Sequence, residues 1–234
     1  MIINMSVVTL DSKVADLVIE RPSRSRIFMR FGIDFCCGGR RPLQEACNAV
    51  GVDPQSVLAE LAKPTEEHEL PDRWFDAPLV ELIDHIVATH HVFTKAELPR
   101  VSELLAKVSR AHGEKHPFMV EVREIYEPFA EELLLHMHKE ERVLFPALRE
   151  LAVSADPAIW STRVAPPIAR MQLEHDEAGA ALAKVRSLTS GFALPEGGCP
   201  TFRAALDGLE GIESDLHRHV HLENNMLFRR ALVG

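Results

Sequence analysis

The chain has 234 residues, 46% hydrophobic and 26% charged, with a net charge of −9. That is apolar enough for a packed core and too acidic for nucleic acid to be the main partner. No apolar run approaches the roughly 20 residues of a membrane span, and Met1–Ser6 lacks the basic start of a secretory signal. The expectation is a cytoplasmic protein with no membrane partner.

In chain order, residues 1–9 read as a loose terminus. Asp11 or Ser12 can cap a short helix to about Glu20, stopped by Pro22. A second helix covers about residues 23–31, ended by Gly32. Asp34-Phe35-Cys36-Cys37-Gly38-Gly39 then reads as a tight turn. Pro42 opens a third helix to about Val50. Asp53-Pro54, a cap followed by proline at the first helical position, starts a fourth to Lys63. Residues 1–63 thus form a small helical domain with eight basic and seven acidic residues, so the excess negative charge lies beyond it. Residues 64–75 read as a polar linker, long enough to let that domain move.

Residues 76–234 carry four longer amphipathic segments, over about 76–110, 117–151, 166–190 and 199–232. Each opens near a proline, with Pro166-Pro167 starting the third. Pro99, Pro128 and Pro146 fall inside and are expected to kink their helices. Four long helices with short connections predict an all-α, up-down-up-down four-helix bundle.

The bundle repeats a phrase. His136-Met137-His138-Lys139-Glu140 and His219-Val220-His221-Leu222-Glu223 both run on to Leu-Phe, at a constant offset of 83 residues. One copy alone would read as a solvated helix face. Surface charge has no reason to recur in register with Leu-Phe attached. Residues four apart share a helix face, so each copy aims an imidazole and a carboxylate together, a donor pair that suits iron, manganese or zinc. His175 is the only histidine of the third segment, and moving back 84 residues from it lands on His91. His91 shares a stripe with Ile83, Val87, Leu98 and Val101. His90 lies on a second apolar stripe, so the choice between the two stays open, with spacing favouring His91. Four histidines and two glutamates suit two metals better than one: both carboxylates bridge, and an oxo or hydroxo bridge leaves one position open on each ion.

His138 and His221 sit about 200° around the helix from the ligands, which predicts surface positions or support of the ligands. His85, His112, His116 and His217 read as polar-face residues, as does His90 where His91 is the ligand. Four cysteines (Cys36, Cys37, Cys47, Cys199) are too few and too uneven for a disulfide framework or a four-cysteine zinc site. Cys36-Cys37 would by itself read as two small apolar residues in a turn. Arg21, Arg24, Arg26, Arg30, Arg40 and Arg41 surround that turn, a patch able to lower a thiol pKa or to dock the small domain on an acidic surface, this chain's own bundle included.

Taken together, Asp34-Phe35-Cys36-Cys37-Gly38-Gly39, Ile83-Asp84-His85 with His91, His136–Glu141 with Leu144-Phe145-Pro146, Glu174–Gly179, His219 and Leu222–Asn225 resemble the repair-of-iron-centres proteins. These are haemerythrin-like, and the likeness covers essentially the whole chain. The resemblance implies the metal ligands His91, His136, Glu140, His175, His219 and Glu223, two non-haem iron ions, and a redox or transfer role for Cys36 and Cys37. It implies a stress protein that helps restore iron–sulfur clusters in damaged client proteins by supplying iron. The alternative is a sensor or buffer of nitric oxide or oxygen, or a nitric oxide reductase, using the same site. A homodimer is one expectation for its assembly, although the sequence does not fix the oligomeric state. One departure stands out: Arg229 follows Leu227-Phe228 where similar proteins often have proline.

Overall fold

A computed structural model describes residues 8–63, 73–153 and 157–233, the side chains of 157–161 excepted. Among them there is no β-strand, only an isolated bridge between Lys13 and Pro42.

The small domain comprises α1 (Val14–Glu20), α2 (Arg24–Phe31), α3 (Leu43–Ala49) and α4 (Pro54–Leu61). Its punctuation follows the sequence. Gly32 ends α2 in the left-handed region at φ 68°, and Asp53 accepts hydrogen bonds from the amides of Gln55 and Ser56 with Pro54 at the start of α4. In the turn after α2, the Asp34 carboxylate accepts from the amides of Cys36, Cys37 and Gly38 at 2.8, 2.9 and 2.7 Å. Gly39 is needed for close approach: a Cβ there would lie 2.2 Å from the Phe35 carbonyl oxygen.

Four rods form the bundle. The first is α5 (Leu79–His85), the π-helical segment π1 (Ile86–His91) and α6 (Val92–His112); the second is α7 (Phe118–Lys139), π2 (Glu140–Leu144) and α8 (Phe145–Ala152). The third is α9 (Pro157–Leu188), and the fourth is α10 (Pro200–Leu222), π3 (Glu223–Leu227) and α11 (Phe228–Val233). Each rod packs on the next and the fourth returns to the first, the up-down-up-down arrangement expected.

Three expectations need correcting. The third rod begins at Pro157, so Pro166 and Pro167 lie inside α9; burial of Val164 and Ile168 around them offsets the hydrogen bonds that proline removes. The irregularities are not at Pro99 and Pro128, which sit within α6 and α7. They are the π segments, a turn type that recurs at functional sites: Glu140 opens π2, Glu223 opens π3 and His91 closes π1.

The third correction concerns the small domain, which is packed onto the bundle. Phe35, 1% exposed, sets its ring against His217 and His221, with centroids 5.9 and 5.6 Å away. Asn225 Nδ2 donates to the Cys36 carbonyl at 3.0 Å. Arg229, the departure from the family pattern, pairs with Asp16 of α1 at 2.9 Å. A continuous apolar cluster runs from Val14, Phe28 and Leu43 into Leu105, Tyr126 and Leu209. Of the basic patch, Arg24 is buried against Glu20, while Arg30 is exposed and pairs with Glu60 at the surface. Residues 64–72 of the expected linker, and 1–7 of the expected loose terminus, lie outside the described residues.

Candidate metal centre

The six expected ligands meet in the bundle interior. His91, Glu140, His219 and Glu223 form one set of ligand atoms within 4.8 Å of one another, and His136, Glu140, His175 and Glu223 form a second. The two sets share both glutamates. All six residues are buried, and Glu140 and Glu223 are 0% exposed.

Contacts within each set are short. Nε2 of His136 is 3.2 Å from Glu140 Oε1, and His91 Nε2 is 3.4 Å from Glu140 Oε2. His175 Nε2 is 3.1 Å from Glu223 Oε2, and His219 Nε2 is 2.9 Å from Glu223 Oε1. Yet His91 Nε2, both oxygens of Glu140 and Oε2 of Glu223 make no hydrogen bond. Buried polar atoms left unbonded are costly, and two facing carboxylates more so. Their lone pairs converge on common points. A cation accepting them fits, and imidazole with carboxylate, without thiolate, suits non-haem iron.

The metal-free electrostatics agree. Burial disfavours the imidazolium of His136, but the Glu140 carboxylate outweighs it and lifts the pKa to about 9. His91 is raised in the same way, burial again opposing. Burial pushes the Glu223 carboxyl up, but His219 and His175 hold it well below the usual range. Protons on His136 and His91 therefore compete with a metal, while burial lowers the pKa of His219.

The outer imidazole nitrogens are tied down in three of the four histidines. His91 Nδ1 is 2.7 Å from Glu141 Oε1, His136 Nδ1 is 2.8 Å from Glu174 Oε2, and His175 Nδ1 donates to Asn224 Oδ1 at 3.1 Å. Such bonds fix ring orientation and aim Nε2 at the metal. Glu174 is braced in turn by Lys139 and Arg170. Burial works against the charged Glu174, but Lys139 and His136 pull its pKa down to about 2. For His219 Nδ1 there is no hydrogen-bond partner among the described residues.

Two comparisons bear on this geometry. Residues 82–231 match the family model described as the hemerythrin HHE cation binding domain, and residues 10–65 match a domain of unknown function. The iron-sulfur cluster repair protein YtfE of Yersinia pseudotuberculosis is 37% identical over 93% of this chain and 95% of its own. The protein of the same name from an Escherichia coli strain is 35% identical over 96% and 98%. The chain belongs to the iron–sulfur cluster repair family. Its haemerythrin domain binds non-haem iron.

Within the repair-family fold, the other histidines divide. His138 is exposed, as expected. His90 is 4% exposed and lies 2.9 Å from Asp215, so its polar-face reading fails. His221 is 3% exposed against the small domain, and His217 is half-buried beside Phe35. Sequence reasoning passed over Glu141, Glu174 and Asn224 as supports for the ligand rings. A signal existed: each neighbours a ligand, and Asn224 follows Glu141 at the same 83-residue offset that relates the ligands. No described helix is long and apolar enough to cross a membrane.

Proposed function

We propose that this chain helps restore damaged iron–sulfur clusters in client proteins by holding two iron ions and releasing iron to them. His91 with His219 would hold one ion, His136 with His175 the other, and Glu140 and Glu223 would bridge. The observation that carries this reading is the pair of ligand sets sharing both carboxylates. Only two carboxylates offset the charge of two divalent ions, so the site is held largely by neutral imidazoles, a donor set from which Fe(II) can leave. Iron supplies the missing metal of a broken cluster. The protein's own contribution is to orient the imidazoles through Glu141, Glu174 and Asn224 and to exchange protons at the ligand atoms as metal departs. Such work belongs in a reducing cytoplasm, where free thiols like the four here persist.

A second reading, nitric oxide binding at the same site, is favoured by a cleft of about 500 Å³ between α7 and α9. Phe129, Leu133 and Ala178 line it, and His136 and His175 close its inner end. Glu132, Lys139, Arg170, Glu174 and Glu177 line it too, and it is wide enough to admit a small molecule to the two histidines.

The test is anaerobic mixing of the iron-loaded protein with a client whose cluster nitric oxide has broken. Recovery of client activity, matched by iron lost from the bundle, is expected. Nitric oxide binding without client recovery would leave only the second reading.

A further inference from the structure

The turn held by Asp34 carries a cluster of donors apart from the bundle centre. Cys36 and Cys37 are free thiols, with sulfurs 3.8 Å apart. Oxidation to a disulfide would need them at about 2.05 Å, in a strained ring between neighbours. A shared metal asks for something else. Two thiolates at about 2.3 Å from a tetrahedral ion lie about 3.8 Å apart, and a carboxylate oxygen on the same ion lies about 3.5 Å from each sulfur. Asp34 Oδ1 is 3.2 Å from Cys36 Sγ, and the donor atoms of the three residues all fall within 4.8 Å. Adjacent cysteines are poor clamps in general. Here three amides bonded to Asp34 curl the backbone so that both sulfurs fall on one side.

We propose that Asp34, Cys36 and Cys37 form an outer cation site that takes a thiophilic divalent ion, Fe(II) in a reducing cell, on two thiolates and one carboxylate. Binding forms two metal–sulfur bonds and one metal–oxygen bond. It releases the thiol protons to solvent, including the one Cys36 shares with Asp34 Oδ1. No electron moves. Asp34 is exposed and Cys37 half-buried, so the cation arrives from solvent and its fourth position stays open to an incoming ligand. The Cys37 side chain and burial push the Cys36 thiol well above its usual pKa, so an arriving cation must displace the Cys36 proton.

Placement gives the site a use. The Cys36 carbonyl accepts from Asn224 Nδ2 at 3.5 Å, and the same Asn224 side chain accepts from the bundle ligand His175. One amide group thus spans the inner and outer sites. The outer site is a station for iron between a nitrogen and oxygen centre and a sulfur-ligated client; this use, unlike the site itself, rests on the repair reading.

Cobalt(II) is the probe. It is added anaerobically to the full chain with the bundle already iron-loaded, and thiolate-to-cobalt charge transfer is followed in the near ultraviolet. Histidine and carboxylate cannot produce that band. One equivalent of cobalt should raise it in the wild type. Cys36→Ser or Cys37→Ser should weaken binding at least tenfold, and Cys199→Ser should leave it unchanged. Asp34→Asn keeps the oxygen that caps the turn but loses the charge, so about tenfold weaker binding with the band retained is expected. Bundle iron content should stay constant throughout, which certifies the fold of each variant. Absence of the band in the wild type, its persistence in the double serine variant, or unchanged affinity in Asp34→Asn would overturn the site as described. Client recovery is measured on the same samples. Cobalt binding without client recovery in the wild type would retain the site and remove its proposed use.

Discussion

His90 lies parallel to His219, with ring centroids 5.4 Å apart and planes 3° apart. The internal repeat explains why. Shifting back by the 84 residues that relate His175 to His91 carries Glu174 onto position 90. Where one half of the bundle places a carboxylate on the outer nitrogen of His136, the other places an imidazole face against His219. The two ligand sets are therefore unequal. A chelator should remove iron in two phases, the faster from the His91/His219 position. Losing a supporting acceptor typically costs ten- to a hundredfold in metal affinity. Glu174→Gln should accordingly speed the slow phase about tenfold and bring the two rates together, read by stopped-flow absorbance.

A second expectation concerns pH in the metal-free protein. His136 titrates at about 9 folded against about 6.5 unfolded. The stability it contributes is fully present below about pH 6.5 and is lost as pH rises through 9. The amount is at most about 3–4 kcal/mol. Urea unfolding of the metal-free chain should show that decline, and His136→Gln should flatten it. A wild-type profile flat from pH 6 to 9 would show that the Glu140 pairing contributes nothing.

Ligand substitutions separate inner from outer histidines. His136→Ala, His175→Ala or His219→Ala should lower iron content, while the exposed His138→Ala should leave it near wild type. Glu140→Ala and Glu223→Ala, touching both ligand sets, should each disturb both positions. Metal analysis after anaerobic purification reads this directly. Near-full loading of Glu140→Ala would exclude its bridging role.

The joint between the domains is also testable. Asn225→Ala removes the closer donor to the Cys36 carbonyl. The carbonyl would keep only the longer bond from Asn224, at 3.5 Å, and losing the better hydrogen bond costs about 0.5–1.5 kcal/mol. The variant should expose amides of residues 33–37 and 221–225 to hydrogen exchange while keeping its iron. Unchanged exchange there would mean that apolar contact at Phe35 alone holds the domains.

The convergence of the six candidate residues was legible because the i, i+4 period survives wherever a helix runs, and a duplicated His-x-x-x-Glu fixes direction twice. His221 shows where such reading stops. Its ring points away from the candidate ligands, as its phase requires, but that side is covered by Phe35 rather than water. Periodicity gives direction and says nothing of what a second domain lays on top. His90 failed differently. It and His91 occupy the end of a π segment, where the wider turn brings both rings inward, and a wheel drawn at about 100° per residue cannot show that. The start of α9 was missed because proline marks a boundary only when no buried stripe continues through it.

The π segments also divide the bundle lengthwise. Leu105, Tyr126 and Leu209 belong to one apolar cluster; Ile83, Phe145, Leu148 and Phe228 belong to another, beyond the metal layer. An extra residue in a turn rotates everything after it by about 100°. Each of these rods is in effect two helices spliced out of phase, with a ligand at the splice. Deleting one residue between 140 and 144 would restore a regular helix, yet it would swing Phe145 and Leu148 away from the far cluster. The chain's length at these three seams is thus fixed by packing on both sides, and an insertion or deletion there should be tolerated far less than one in the connection at 189–199.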